Sequence, residues 1–149
     1  MDIIEPVTQA QLRNYFELRW KVLREPWQQP RGSERDALDD SAIHLMLIDD
    51  TGNAVGVGRL HFNSIREAQI RFMAIALSSQ RQGLGSTLLH ALETRALQLG
   101  AGHIVLDARE SALGFYCRHG YRATGTGHVL FNRISHLHMV KPLLTAQGR

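Results

Sequence analysis

A change of hydrophobic period divides the middle of this chain into a strand, a short loop and a helix. Residues 70–77 form a nearly continuous apolar run, which is typical of a strand. Beyond this run, apolar residues recur at helical spacing along one face: Leu84, Leu88, Leu92, Ala96 and Leu99. Gly83 and Gly85 fall where the loop enters this helix. The pattern therefore predicts two glycines at a helix N-terminus that directly follows a strand.

The same periodicities predict the remaining elements. Strands are expected at 2–7, 43–48, 54–62, 68–75, 103–107 and 138–141, with another starting at 121–124; helices are expected from Thr8 to about Arg24, at 84–99 and at 111–119. Thr8 and Gln11 have the spacing of a capping box. We therefore expect an α/β protein of the α+β type, with a mixed, mostly antiparallel sheet flanked by helices.

Glycine and proline positions predict the irregular segments. Gly56 and Gly58, inside the third strand, indicate a bulge or a close backbone approach. Residues 125–127, Gly-Thr-Gly, are predicted to form a turn. Residues 26–40 are polar and are predicted to form a loop with a helical turn near 34–38. Loops of this length inside a domain are usually functional or mobile.

Composition is that of a globular protein with one domain. The chain has 149 residues, of which 44% are hydrophobic and 21% charged, so we expect one domain over 1–144 and a frayed tail at 145–149. No apolar run approaches the ~20 residues that span a bilayer, and a single cysteine excludes an internal disulfide. A cytoplasmic protein without a membrane partner is expected, and a homodimer is left open. The basic residues behind the net charge of +3 are scattered, which argues against nucleic acid and suits an anionic ligand.

The glycine loop has the chemistry of an anion site. Helix-start N–H groups carry partial positive charge, and glycines let an anion approach the backbone closely. The P-loop pattern fails because no Lys follows the glycines at the required place, and the Rossmann pattern fails because Leu88 replaces its third glycine. The pattern Q/R-x-x-G-x-G/A matches at Gln80, Gly83 and Gly85. It resembles the acetyl-CoA pyrophosphate loop of the GNAT acetyltransferase superfamily.

A second motif follows one helix and one strand later. Ala112, Tyr116, Gly120 and Tyr121 fit A-x-x-x-Y-x-x-x-G-F/Y, which resembles the second GNAT signature. With both signatures in order, the resemblance covers nearly the whole chain. It implies a GNAT-like fold whose sheet is splayed between the fourth and fifth strands.

The resemblance also implies the residues of a site for acetyl-CoA, the co-substrate. Backbone N–H groups of the loop would hold the pyrophosphate: Arg81, Gln82, Gly83, Leu84, Gly85 and Ser86. The strand residues Met73, Ala74 and Ile75 would pair with the pantetheine amides. Tyr116 would protonate the departing CoA thiolate; the alternative is a buried aromatic without a catalytic role.

The acceptor side is less defined by the sequence. Arg31, Glu34 and Arg35 belong to the long loop that borders the substrate cleft in GNAT proteins, although a solvated loop with internal ion pairs fits them equally well. Candidate proton acceptors are Glu34, Asp36, His61 and His136, with water as an alternative. The histidines show no metal-ligand spacing, so no metal is expected.

The resemblance implies an acyl-CoA-dependent N-acyltransferase. The chemistry of the GNAT superfamily implies acetyl transfer to a small-molecule or peptide amine by direct attack in a ternary complex. Two alternatives remain: a noncatalytic acyl-CoA sensor, and a transferase acting on an acyl-carrier protein. Residues 19–26, 29–36 and 134–142 also resemble the acetyltransferase half of bacterial two-domain proteins with a thioesterase-like second domain. Any thioesterase activity would lie outside this chain.

Overall fold

A computed structural model describes residues 1–131 and 134–143; the tail expected at 145–149 lies outside them. The strands are β1 (Asp2–Ile4), β2 (Ile43–Ile48), β3 (Ala54–Phe62), β4 (Glu67–Ile75), β5 (His103–Arg109), β6 (Arg122–Leu130) and β7 (Ile134–Pro142). The helices are α1 (Gln9–Leu23), α2 (Leu84–Gln98) and α3 (Leu113–Arg118). Short 3₁₀ turns occupy 25–27, 37–40, 77–79 and 110–112.

The described strands form one sheet in the order β1-β2-β3-β4-β5-β7-β6. Neighbouring strands are antiparallel everywhere except between β4 and β5, which are parallel. The prediction of a mixed, mostly antiparallel α/β fold is therefore confirmed. The single parallel pair follows from the connection through α2, because parallel neighbours need a crossover that a tight hairpin cannot provide.

Helix α1 begins at the predicted capping box. The backbone N–H of Gln11 donates to the Thr8 hydroxyl oxygen, and the N–H of Thr8 donates to the Gln11 side-chain oxygen, both at 3.1 Å. These reciprocal bonds satisfy donors that have no acceptor inside the helix. At its other end α1 stops at Leu23, and Pro26 follows in a 3₁₀ turn, where its missing N–H is not needed.

Helices α1 and α2 cover opposite faces of the sheet. Leu60 of β3 belongs to the apolar cluster beneath α2, whereas Val57 belongs to the cluster beneath α1. Residues 57 and 60 are an odd number of positions apart on one strand, and successive side chains of a strand point to opposite faces, so the two lie on opposite sides of the sheet. Gly58 faces α2, and a Cβ atom at this position would lie 2.7 Å from Leu92 Cδ1. The predicted close approach at the strand glycines is therefore confirmed.

The C-terminal strands differ from the sequence prediction. Residues 125–127, predicted to form a turn, lie inside β6 and pair with β7, for example Gly125 with His138. Register shifts between Ala123 and Gly125 and between Thr126 and Val129 interrupt this pairing. Bulges absorb extra residues within a strand, and glycine tolerates their backbone angles. Because β6 continues to residue 130 and pairs with β7, β7 begins at residue 134 instead of the predicted 138. At the other end of the chain, β1 ends at residue 4 instead of the predicted 7.

Strands β4 and β5 pair over only part of their length. The parallel ladder consists of three residue pairs, Glu67–His103, Ala68–Ile104 and Gln69–Val105. Beyond these pairs both strands continue, to Ile75 and Arg109, without further pairing to each other among the described residues. The predicted splay between the fourth and fifth strands is therefore confirmed, and it opens a groove in the sheet.

A β-bulge in β4 lies at the start of this groove. The register with β3 shifts between Arg71 and Ala74, so that Phe72 and Met73 together oppose Gly58. Phe72 has a φ of +54°, in a region that a bulky side chain rarely adopts. Such a conformation persists only where the surrounding structure holds it in place.

Four guanidinium groups surround the Phe72 ring. Their Cζ atoms lie 4.4 Å (Arg19), 4.6 Å (Arg71), 4.7 Å (Arg59) and 5.6 Å (Arg24) from the ring centroid. Cations are attracted to the negative face of an aromatic ring, more strongly where water is excluded. These contacts hold the strained residue, and they concentrate positive charge beside the groove.

Asp39 balances the two most buried of these arginines. Its Oδ1 atom accepts hydrogen bonds from Nη1 of Arg19 and from Nη1 of Arg59, each at 3.0 Å, and both arginines are fully buried. Asp36 provides a second carboxylate to Arg59. Burial alone would raise the pKa of Asp39, but the Asp36 N–H and the charges of the two arginines outweigh it and lower that pKa. The loop that carries both carboxylates is thus tied to the sheet.

We expect Asp39→Asn to lower the free energy of unfolding by about 3 kcal/mol or more, because two buried guanidinium groups lose their shared counter-charge. Asp40→Asn is the matched control, since Asp40 is exposed and forms no ion pair with the described residues. Urea denaturation at neutral pH compares the two variants. Equal stabilities would contradict the role given to Asp39.

The same pair of proteins tests the pH dependence. Because the folded-state pKa of Asp39 is depressed, its stabilising contribution is present above the ordinary aspartate pKa and is lost as the pH falls through the folded value. The difference in stability between the wild type and Asp39→Asn should therefore shrink on acidification.

Candidate active site

The diverging strands enclose a groove of about 870 Å³. One wall is β4 from Ile70 to Ile75, and the other is β5 from Leu106 to Arg109. The loop before α2 and the first turn of that helix line one end of the groove (79–81 and 83–86). The remaining lining comes from α3, from the end of α1 and the residue after it, and from β6 and β7: Phe115, Tyr116, Arg118, Val22, Leu23, Arg24, Leu130 and His136. Elements distant in the chain therefore meet at one cleft.

The structure brings most of the predicted cofactor residues to this groove. The β4 wall contains Met73, Ala74 and Ile75, and the loop side contains Arg81, Gly83, Leu84, Gly85 and Ser86. Gln82 lies in the same loop, but it is exposed and does not line the groove. Contact of these residues with a cofactor stays a prediction.

The loop before α2 turns the first turn of the helix toward the groove. Gly83 has a φ of +77°, which glycine adopts without strain. The N–H of Thr87 donates to the Gly83 carbonyl at 3.2 Å, so the N–H groups of Leu84–Ser86 have no acceptor inside the helix. Gln80 fixes the loop, because its Nε2 donates to the Ile75 carbonyl at 3.1 Å. Free donors and a partial positive charge therefore face the cleft.

Gly85 keeps this part of the groove open. A Cβ atom at Gly85 would lie 3.4 Å from the Phe115 ring and 3.9 Å from Ile75 Cγ1. Both neighbours line the groove. A larger side chain at this position would therefore occupy space between them.

Tyr116 lines the groove as a protonated hydroxyl. Its ring makes edge-on contacts with Phe115 and Tyr121, with centroids 5.0 and 5.6 Å apart. Burial raises the pKa of Tyr116 to about 12, although the positive charge of Arg109 acts in the opposite direction. The hydroxyl makes no hydrogen bond to the described residues. Tyr116 is therefore a proton donor at neutral pH whose hydroxyl has no acceptor among the described residues.

Of the four candidate proton acceptors, His136 lines the groove, whereas Glu34, Asp36 and His61 do not. Asp36 is paired with Arg59, which lowers its basicity. Buried His136 donates from Nδ1 to the Ile134 carbonyl at 3.0 Å, and this tautomer makes Nε2 the basic nitrogen. His136 is therefore the candidate that the fold positions for proton removal.

Asp107 lies beside His136 in the groove, and sequence analysis missed it. A Cβ atom at Gly127 would lie 3.0 Å from Asp107 Cγ and 3.1 Å from His136 Cβ, so glycine allows β6 to close over both. Asp107 Oδ1 lies 2.7 Å from Nδ1 of His138. Polar residues that alternate with Leu106 and other buried residues at the end of β5 were the available signal.

The predicted acceptor residues lie in a second depression of about 370 Å³, which also includes Phe16 and Trp20. Arg31 stacks over the Trp20 ring at 4.1 Å, and Arg35 stacks over the Phe16 ring at 3.7 Å. Buried Glu34 also lines this depression. Among the described residues, none lines both the depression and the groove. A role for Arg31, Glu34 and Arg35 in acceptor binding stays a prediction.

The described residues contain neither a metal-binding cluster nor a membrane-spanning helix. Residues 1–131 and 134–143 contain no group of three or more His, Cys, Asp or Glu side chains arranged to hold a metal ion. Within the same residues, none of the helices combines the length and the apolar character needed to cross a membrane.

Solved acetyltransferases share the fold of this chain. A GNAT family acetyltransferase from Elizabethkingia anophelis with acetyl-CoA bound has a TM-score of 0.74, at 15% identity over 95% of this chain and 97% of that one. An aminoglycoside 6′-N-acetyltransferase complexed with coenzyme A has a TM-score of 0.78, at 16% identity over 95% and 97%. At these identities the likeness shows the fold.

Sequence similarity establishes the family. Residues 21–143 match the acetyltransferase (GNAT) domain. The uncharacterized N-acetyltransferase YjcF of Bacillus subtilis is 29% identical over 133 residues, which are 89% of this chain and 94% of the relative. The chain belongs to the GNAT acetyltransferase family, and the resemblance drawn from its two motifs is confirmed.

Proposed function

We propose that this chain is an N-acyltransferase that transfers an acetyl group from acetyl-CoA to an amine. The observation that supports this most is the groove between β4 and β5, which joins free N–H groups of α2 to Tyr116 and His136. In the proposed reaction the amine attacks the thioester carbonyl directly while both substrates are bound. The chain then contributes orientation, worth up to ~7–11 kcal/mol in favourable cases, and proton transfers.

The cofactor is proposed to bind along the β4 wall. Its pyrophosphate would accept hydrogen bonds from the N–H groups of Leu84–Ser86, with Arg81 and Arg118 supplying positive charge nearby. The pantetheine amides would pair with β4 beyond Gln69, where the described residues of β5 no longer pair with it. An extended chain that completes an open strand edge gains main-chain hydrogen bonds.

Two side chains are assigned to the proton transfers. His136 takes a proton from the incoming ammonium group, which makes its nitrogen nucleophilic. When the bond between the carbonyl carbon and sulfur breaks, the electron pair stays on sulfur, and Tyr116 donates its proton to that thiolate. A hydroxyl whose pKa is raised to about 12 remains protonated until this step.

Release of free thiol from acetyl-CoA tests the function. The assay compares amines, peptides and acyl-carrier protein as acceptors and follows CoA formation together with the acetylated product. Amine-dependent thiol release supports the proposal. Binding of acetyl-CoA without release by any acceptor would instead indicate a sensor module, and transfer only to acyl-carrier protein would indicate the other alternative.

Gly85→Val should weaken binding of acetyl-CoA by about 10-fold or more, because its side chain would fill space between Phe115 and Ile75. Gly125→Val is the control, since a Cβ atom at Gly125 meets nothing within 4 Å and that position is outside the groove. Isothermal titration calorimetry on the folded variants measures the affinities. Unchanged affinity for acetyl-CoA in Gly85→Val would show that this loop does not bind the cofactor.

Tyr116→Phe should lower the single-turnover rate of acetyl transfer by about 10-fold or more, because the thiolate loses its proton donor. Affinity for acetyl-CoA should persist, since only the hydroxyl is removed. Tyr121→Phe is the matched control: its hydroxyl donates to Glu93 at 2.8 Å and does not line the groove. A wild-type rate in rapid-quench experiments on Tyr116→Phe would leave Tyr116 as a packing residue.

His136→Gln should lower the same rate by about 10-fold or more at neutral pH, because the ammonium proton loses its acceptor. The defect should become smaller at high pH, where more of the amine arrives neutral, its pKa being about 10. Exposed His90→Gln serves as the control. A loss in His136→Gln that does not change with pH would indicate a structural effect.

A further inference from the structure

Three arginines from three elements line one part of the groove. Arg24 follows α1, Arg71 lies in β4 and Arg109 ends β5. The strand neighbours of Arg71 and Arg109 belong to the core beneath α2, so both arginines face the α1 side of the sheet. Arg24 and Arg71 also share the ring of Phe72. The three guanidinium groups therefore gather on the α1 side of the cleft.

The charges of Arg71 and Arg109 repel the charge of Arg24. Burial lowers the pKa of Arg24, and the positive charges of Arg71 and Arg109 lower it further. Burial likewise lowers the pKa of Arg71 and of Arg109. A guanidinium group nevertheless stays protonated at neutral pH. The α1 side of the groove is therefore strongly positive.

Carboxylates in the described residues offset this charge only in part. Glu34 acts to raise the pKa of Arg24, and Asp36 and Asp107 act to raise that of Arg71, but both pKa values stay lowered. Arg24 and Arg109 form no ion pair with any described residue, and Arg71 approaches only Asp36 Oδ2, at 3.6 Å. The other oxygen of Asp36 is already paired with Arg59. Of the three, Arg24 is buried, whereas the Arg71 side chain is 36% exposed. A buried charge without a partner is costly, and an anion that binds beside it lowers that cost.

Arg24 is held in a fixed orientation. Its Nε and Nη1 atoms donate to the backbone carbonyls of Ser33 and Leu23 at 3.0 and 3.1 Å. These bonds use two of the three guanidinium nitrogens, and their carbonyl acceptors carry no negative charge to balance Arg24. The carboxylate that lines the groove in the described residues is Asp107, which already contacts His138. One carboxylate therefore faces three arginines.

From this arrangement we propose that the acceptor is a small amine that also carries a carboxylate, which binds to Arg71 and Arg109 with Arg24 beside them. The planar fork of arginine donors matches the two oxygens of a carboxylate. Arg109 is the register partner of His136. A carboxylate bound at Arg109 therefore leaves the amine of the same small molecule beside the proposed proton acceptor. The inference rests on the proposed acyl transfer and narrows its acceptor.

Acceptors with several positive charges fit this site poorly. A polyamine or a similar polycation would bring like charge to the three arginines, which opposes binding. An amine without any acid group would gain nothing from them. The arginines therefore favour amino-acid-like acceptors over both classes.

Matched acceptor pairs test the carboxylate directly. The pairs are alanine with ethylamine, phenylalanine with phenethylamine, and O-phosphoethanolamine with ethanolamine. Values of kcat/KM are calculated from the concentration of neutral amine, so that differences in amine pKa do not affect the comparison. We expect each amino acid to exceed its decarboxylated partner by at least about 10-fold. Equal or faster transfer to the decarboxylated amines would overturn the proposal, as would a preference confined to the phosphate pair.

Substitution of the groove arginines tests which of them cause the preference for a carboxylate on the acceptor. In Arg71→Gln and Arg109→Gln the ratio within each amino-acid pair should fall toward one, while the KM for acetyl-CoA stays near its wild-type value. Arg122→Gln, which removes the same charge at an exposed position outside the groove, should keep the wild-type ratio. An unchanged ratio in both groove variants would show that these arginines do not bind the acceptor.

Product binding separates this inference from the proposed function. Calorimetry on protein saturated with CoA compares N-acetylalanine with N-ethylacetamide, the acetylated form of ethylamine. Tighter binding of N-acetylalanine that is lost in Arg109→Gln supports the carboxylate site, even if no amine is acetylated and the proposed function fails. Equal binding of the two compounds would overturn the inference, even if acetyl transfer is observed.

Discussion

The short ladder between β4 and β5 is the constraint on which the rest of the structure depends. Three parallel residue pairs join the strands and leave their C-terminal halves apart. A sheet that closed along its whole length would bury the groove and satisfy the β4 backbone internally. Because the strands separate, one edge of β4 stays available, and the first turn of α2, α3 and the end of α1 meet around the opening.

Electrostatics divides this groove into two parts. Near the start of α2, the favourable groups are backbone N–H donors, which suit an anion whatever the side chains are. On the α1 side, the positive charge belongs to side chains and surrounds the strained Phe72. Asp39 and Asp36 pair with the buried Arg19 and Arg59. Arg24 and Arg71, which also contact Phe72, line the cleft. The same interactions that hold the bulge therefore also set the charge of the groove.

Sequence analysis predicted the features that depend on local pattern. The capping box at Thr8, the glycine loop before α2 and the placing of Tyr116 followed from residue types at fixed spacing. The arginine cluster did not, because Arg24, Arg71 and Arg109 are distant in the chain and come together only when the sheet and α1 have formed. The turn predicted at 125–127 failed for a related reason: pairing with β7 outweighed the local preference of glycine for turns.

The two edges of the sheet differ in how they meet solvent. β1 is an edge strand of three residues, which offers few unpaired backbone groups. β6, at the opposite edge, has nine residues, but two register shifts break the regularity of its ladder. Short or bulged edges are poor templates for adding a strand from another chain. The irregular, glycine-rich β6 therefore protects the sheet against edge-to-edge aggregation.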